Sequence, residues 1–518
     1  MDTLDLSHPL QLDDVVAVAR HQVAVRLGSE GRAKVQAARA VVDAFVRDHT
    51  IARYGINTGF GALAEVVIAD DQIAALQTNL IRSHACGVGP LLPTDVVRAM
   101  MLLRAKVLAI GHSGVRPQVI DTLCEMLNAG LHPLIPCQGS VGASGDLAPL
   151  AHLALVLTGE GQAELGGVAM TGAQALQQAR IAPIVLQAKE GLSLINGTQA
   201  MTAIAVLALH RSQNICDCAD LTGAMAVEAL LATDKAFDAR IVAVRPHPGA
   251  LQSAANLRAL TAGSPLIASH AGPADRKVQD PYSIRCMPQV HGAVRDALQF
   301  VRGTLQVEIN AVTDNPLIFQ NESGDATHTT ILSGGNFHGQ PVAIACDVAR
   351  LALVSLASMS ERRIEQLVNP TLNSGLPAFL ARNSGLNSGF MIAQVTAAAL
   401  VSESKGLCMP ASVDSIPSSA NKEDHVSMGP IAARRWAEVV ANCEIVLAIE
   451  LLCAAQGLDQ RAPLQPAPAT SAAWQVLRQR VSVMEQDRVL YPDIATATAL
   501  VRSGELLFAA RSAVTQGR

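Results

Sequence analysis

The string Gly139-Ser140-Val141-Gly142-Ala143-Ser144-Gly145-Asp146-Leu147 carries the most reactive possibilities in this chain. Its glycines could shape a phosphate cradle, yet neither G-x-G-x-x-G nor a terminal Gly-Lys-Ser/Thr is present. The G-x-S-x-G register of a nucleophile elbow fails at both Ser140 and Ser144, and no base is evidently spaced to make Ser144 a hydrolase nucleophile. Two readings remain. One is a tight turn in which glycines supply positive φ angles. The other is chemical: the Gly145 amide nitrogen has no neighbouring Cβ to obstruct it, so a strained turn can press it onto the carbonyl carbon of Ala143. Loss of water closes a five-membered imidazolone. Loss of a second water from Ser144 leaves an exocyclic methylidene, an electrophile made of backbone.

This string resembles the signature of the methylidene-imidazolone (MIO) ammonia-lyase and aminomutase family, over the eleven residues 142–152. Further motifs look alike and follow in family order: Tyr54-Gly55-Ile56-Asn57-Thr58-Gly59-Phe60-Gly61, Asn196-Gly197-Thr198, Gln279-Asp280-Pro281-Tyr282-Ser283-Ile284-Arg285-Cys286, 310–316, and Gly334-Gly335-Asn336-Phe337. They extend across most of the chain. Ser83-His84 and Lys422-Glu423-Asp424-His425 are most similar to the branch that acts on histidine. Members acting on tyrosine or phenylalanine usually carry other residues at the places of His84 and Glu423. Lys422 stands where the histidine branch commonly has Gln, Cys86 where Ala is usual, and Met287 where Gln is common. Gly339-Gln340 looks more like the tyrosine and phenylalanine branches.

The resemblance implies a non-oxidative elimination, L-histidine to trans-urocanate and ammonia, with MIO formed from Ala143, Ser144 and Gly145 and no metal or diffusible cofactor. Such a step needs an electrophile on the amine and a base on the carbon, because the β-hydrogen is hardly acidic and ammonia is a poor leaving group. Tyr54 is the candidate base: a phenol, which titrates near about 10, accepts a proton only where dipoles or charges stabilise phenolate. Arg285 has the planar fork that suits a substrate carboxylate. Asn196 could hydrogen-bond the same carboxylate or the amine, although Asn-Gly also marks a simple turn. Tyr282, Gln279 and Phe337 are similar to family residues that line the prosthetic group. His84 and Glu423 would read the imidazole, Glu423 as acceptor from a ring N–H. His338 and His425 fit loop-supporting hydrogen bonds. Alternatives are a tyrosine or phenylalanine ammonia-lyase or aminomutase of the same family, or a catalytically inactive helical scaffold.

Long helices must position these loops. In 95–110 apolar residues recur every three to four positions with Arg98 and Arg104 interleaved, and Thr94-Asp95 suggests the N-terminal cap. Similar patterns fill 198–233, 290–311, 338–368, 388–406 and 430–456, and strand alternation is scarce. Helices apolar over so much of their circumference belong in a bundle or an oligomer. The reading is a mainly α fold: a loop-rich N-terminal domain, 1–205, bearing the MIO loop, then a central long-helix bundle with C-terminal helices, 206–518. The resemblance implies a homotetramer whose sites draw loops from three protomers.

Composition agrees with a small-metabolite enzyme. At roughly 150 residues per domain, 518 residues make three or four domains or one large fold. Hydrophobic residues at 50%, charged at 16%, and a net charge of −5 exclude a disordered chain and a basic nucleic-acid footprint. The 10 cysteines form no C-x-x-C, which argues against a zinc ribbon or redox dithiol and suits reduced thiols in the cytosol. The opening Met-Asp-Thr-Leu-Asp-Leu-Ser-His lacks the features of a signal peptide. The stretch 430–457 comes closest to a membrane span, but Glu438, Glu444 and Glu450 interrupt it. The expectation is a cytoplasmic protein without a nucleic-acid or membrane partner.

Overall fold

The computed structural model describes residues 3–47, 55–56, 58–59, 66, 68–272, 278–319 and 330–516. It is mainly helical. The elements used below are α1 (Ile73–His84), α2 (Thr94–Ala109), α3 (Leu147–Leu157), α4 (Glu190–Ile195), α5 (Gln199–Ala229), α6 (Tyr282–Arg285), α7 (Met287–Glu308), α8 (Gln340–Val368), α9 (Met391–Leu407) and α10 (Gly429–Asp459). The long helices coincide with the periodic segments to within a few residues. Strands are short: among them a three-stranded antiparallel sheet of Leu131–Pro133, Gln162–Leu165 and Val168–Thr171 pairs Leu131 with Leu165 and Gln162 with Thr171.

The chain divides into two compact units, neither continuous in sequence. The first comprises 1–207, 302–347 and 410–434; the second comprises 208–301, 348–409 and 435–518. A single division at 205/206 therefore falls two residues from one junction and assigns 302–347 and 410–434 to the other part. The reason is that α5, α7, α8 and α10 each contribute residues to both units. The loops at their ends return to the first unit.

In the first unit α2 is buried from Val96 to Ala109, arginines included. Arg98 donates from Nε to the carbonyl oxygen of Val18 at 3.0 Å and from Nη1 to that of Leu127 at 3.1 Å, so its charge lies inside with these groups engaged. The cap of α2 is Pro93, not Thr94 or Asp95: its φ of −58° and ψ of 148° turn the chain into the helix without a side-chain cap. Asp95 instead accepts from the Val96 amide at 2.9 Å.

The second unit is a long-helix core around Trp436, whose Nε1 donates to Ser212 Oγ at 3.2 Å. Glu450 and Asp220, both buried, are hydrogen-bonded and paired with cations or a histidine. Glu450 accepts from Thr222 at 2.9 Å, from Ser360 at 2.5 Å and from Arg363, while Asp220 accepts from His291 at 2.8 Å and from Arg295 at 2.7 Å. Among the described residues, Gln340–Val368 is the helix long and apolar enough to cross a membrane by length and composition, not 430–457. Its interior Arg350, Ser360 and Arg363 are buried in the protein, as in a core helix.

Candidate active site

Helices α1, α3 and α4 pack on one another. That packing is what brings distant motifs together: His84 ends α1, Ser144 lies just ahead of α3, and Asn196 caps the C-terminus of α4. A cavity of about 740 Å³ in the first unit is lined by His84, Ala143, Ser144, Asn196, Phe337 and Glu423, among others. A smaller one, about 200 Å³, is lined by Gly145 and shares His84, Ala143, Ser144 and Glu423. Six of the sequence-derived candidates therefore face one cavity. Gln279, Tyr282 and Arg285 lie in the second unit and line neither cavity. There Tyr282 is 68% exposed, and the Arg285 guanidinium carbon lies 4.5 Å from the centre of its ring. Tyr54 lies outside the described residues.

The 143–145 turn leaves no room for a side chain at Gly145. Gly145 has φ +78°, and a Cβ there would stand 2.1 Å from the Gly197 carbonyl oxygen, so no other residue fits without displacing backbone. The Asp146 amide donates to that oxygen at 2.6 Å, and the Gly197 amide donates to the Ser144 carbonyl at 3.3 Å. Ser140 Oγ donates to the Gly145 carbonyl at 3.0 Å, and Ser427 Oγ to the Gly142 carbonyl at 3.1 Å. Among the described residues, no hydrogen bond occupies the Gly145 amide nitrogen or the Ala143 carbonyl oxygen. These are the two groups that ring closure would join. The residues present fit the prosthetic group.

Glu423 uses both carboxylate oxygens. Ser144 Oγ donates to Oε1 at 3.0 Å and Ser418 Oγ to Oε2 at 2.6 Å. Residues 419–421 all have positive φ, 47° to 65°, although none is glycine. Such a run costs roughly 1–2 kcal/mol per residue, and paired backbone bonds between Ser418 and Glu423, at 2.9 and 3.3 Å, close the turn. His84 Nδ1 is 2.8 Å from the Leu80 carbonyl, which can only accept. The proton is thus assigned to Nδ1, and Nε2 is left to meet a ligand. His338 Nε2 donates to the His425 carbonyl at 3.2 Å and so supports the loop at the cavity wall, whereas the His425 ring only stacks on that of His338, 5.8 Å away.

Four buried residues, Lys189, Asp314, Arg104 and Asp146, have no role of their own in the sequence reading. Lys189 donates to Asp314 at 2.9 Å and to Ser193 at 2.8 Å, all three being fully buried. Burial lowers the Lys189 pKa, and the Asp314 charge opposes that shift. Asp314 and the Asn315 carbonyl in turn accept from Asn196 Nδ2 at 3.4 and 3.3 Å. The string 310–316 held Asp314, so a signal was present; Lys189 had none. Arg104, fully buried, donates to the carbonyls of Ser193 at 2.6 Å and Asn196 at 3.0 Å, and also to Gln199. Burial pulls its pKa down to about 10. Asp146, also fully buried, is pushed up to about 7 by burial, opposed by hydrogen bonds from the amides of Met201 and Ala200.

Residues 10–479 match the profile of the aromatic amino acid lyase family. A histidine ammonia-lyase from Sorangium cellulosum (strain So ce56) is 55% identical over 511 residues, covering 98% of this chain and 99% of that one. The crystal structure of histidine ammonia-lyase from Trypanosoma cruzi superposes with a TM-score of 0.90 at 43% identity, covering 99% of this chain and 96% of the other. Tyrosine aminomutase from Streptomyces globisporus gives a TM-score of 0.92 at 37% identity, with 99% of each chain covered. With the cyclisable turn, the cavity beside it and a match over nearly the whole length, the chain belongs to the aromatic amino acid lyase family.

Proposed function

We propose that the chain is a histidine ammonia-lyase, a carbon–nitrogen lyase that eliminates ammonia from L-histidine to give trans-urocanate, acting in the cytoplasm as a homotetramer. The observation that carries the substrate is that His84 and Glu423 line the same cavity as Ser144, and it is supported by a histidine ammonia-lyase that is 55% identical over nearly the whole chain. When formed from Ala143, Ser144 and Gly145, the methylidene-imidazolone supplies an electrophilic exocyclic carbon that makes the substrate amine a leaving group. Loss of the Ser144 hydroxyl removes the donor now resting on Glu423 Oε1. That oxygen is then free to accept from an imidazole N–H, while Ser418 keeps the other in place. His84 offers Nε2 to the same ring. Asn196 and Phe337 line the cavity, and in a homotetramer whose sites draw loops from several protomers the Gln279–Arg285 segment of another protomer would join them, its Arg285 meeting the carboxylate. Tyr54 removes the β-proton.

The test is a parallel deamination assay with L-histidine, L-tyrosine and L-phenylalanine, following the conjugated product in the ultraviolet. Strong preference for histidine supports the assignment of His84 and Glu423. Turnover of tyrosine or phenylalanine alone would keep the electrophile and overturn the specificity.

A further inference from the structure

We infer that Arg104 is a positioning residue for maturation of the site: its guanidinium buttresses Gly197 against Gly145 and so keeps the 143–145 turn compressed for ring closure. The inference rests on the reading that this turn forms the prosthetic group. The order of contacts carries it. A Cβ on Gly145 would stand 2.1 Å from the Gly197 oxygen, and a Cβ on Gly197 would stand 2.4 Å from Arg104 Nη2, so neither spacing has room for even a methyl group. Gly197 itself has φ +148° and bridges Gly145 in parallel. Nη1 of Arg104 reaches the Ser193 and Asn196 carbonyls, while Nη2 reaches Asn196 at 3.1 Å and Gln199. Gln199 is braced by donating to Thr313 at 2.8 Å. A planar fork with several fixed donors suits this set of acceptors, whereas an ammonium presents a single point charge.

In ring closure the Gly145 nitrogen bonds to the Ala143 carbonyl carbon, and its proton passes to the carbonyl oxygen. That oxygen leaves as water with the Ser144 N–H proton, forming a C=N bond. The second water takes the Ser144 Cα proton and its hydroxyl, forming the methylidene. No oxidant or reductant enters. Arg104 takes no part in these bonds; it denies Gly197 the room to retreat as the nitrogen approaches the carbonyl, which is a positional contribution to an intramolecular reaction.

The experiment uses the full chain with Arg104→Lys, which keeps a buried charge and loses the fork. Mass spectrometry follows the fraction of the 143–145 peptide lacking two waters over time after synthesis, and circular dichroism with thermal unfolding establishes the fold. The expected result is a folded variant in which cyclisation is slowed at least about fivefold, with kcat falling in step and KM unchanged. A folded variant that cyclises at the wild-type rate, with only a lower Tm, overturns the inference. If the variant is not recovered folded, Gln199→Leu, which frees one arm of the guanidinium, decides: slowed cyclisation supports the buttress, and an unchanged rate overturns it. Wild-type protein without the two-water loss would overturn the functional reading and this inference together. Loss in the wild type with an equal rate in both variants would overturn this inference alone.

Discussion

Glu423→Gln tests substrate recognition at a single carboxylate. The replacement has the same shape, so the turn at 418–423 keeps its backbone bonds. Ser418 Oγ, 2.6 Å from Oε2, keeps the bond it already donates when the amide oxygen lies on its side. The amide nitrogen then faces the cavity, a donor where an imidazole N–H needs an acceptor. A hydrogen bond to a charged group is worth about 1.5–3 kcal/mol, so kcat/KM for L-histidine should fall about 10- to 150-fold. Steady-state kinetics measure this directly, and the mass of the 143–145 peptide must be checked alongside, because the Ser144 hydroxyl rests on the same carboxylate. A cyclised variant whose kcat/KM for histidine stays within about twofold of wild type would refute the role of Glu423, since loss of even the weakest bond of this kind exceeds that.

Tyr54→Phe should lower kcat by about 10²–10⁴ without slowing cyclisation, the range of a lost general base; near-normal turnover would remove Tyr54 from that role. Lys189→Met leaves the fully buried Asp314 without its cation and should cost about 3–5 kcal/mol, read as a lowered urea midpoint; an unchanged midpoint would mean the pair is not what holds this wall. Asp146 gives a pH signature. Its carboxyl is raised from 3.8 to about 7 by burial, so the folded protein holds a proton that the unfolded chain releases. That stability is full below pH 3.8 and is lost as pH rises through about 7, on the order of 4 kcal/mol in all. Asp146→Asn lacks this term, so its thermal stability relative to wild type should improve steadily from about pH 4 to 7 and then level off. A flat difference would show that Asp146 stays ionised.

The turn on which the proposed chemistry rests was legible because it is local. Gly142-Ala143-Ser144-Gly145 announces its reactivity in four consecutive residues, and the helices that carry it repeat apolar residues at the α period. Burial of charge was not legible. Arg98 and Arg104 interrupt the apolar pattern of α2 as solvent-facing residues would, yet both are inside, held by carbonyls that lie up to 92 residues away in sequence. Lys189 and Asp314, 125 residues apart, meet only because two loops converge beneath Asn196. Nor does any local pattern announce three consecutive left-handed residues at 419–421, since Ser, Ala and Asn there gain that conformation from the Ser418–Glu423 closure. The order of events is equally hidden in the string. Glu423 is quoted as a substrate residue, but in the uncyclised chain its Oε1 is occupied by the hydroxyl of Ser144. Dehydration of that serine creates the electrophile and vacates the acceptor in one step, so the geometry ties readiness for histidine to completion of the prosthetic group.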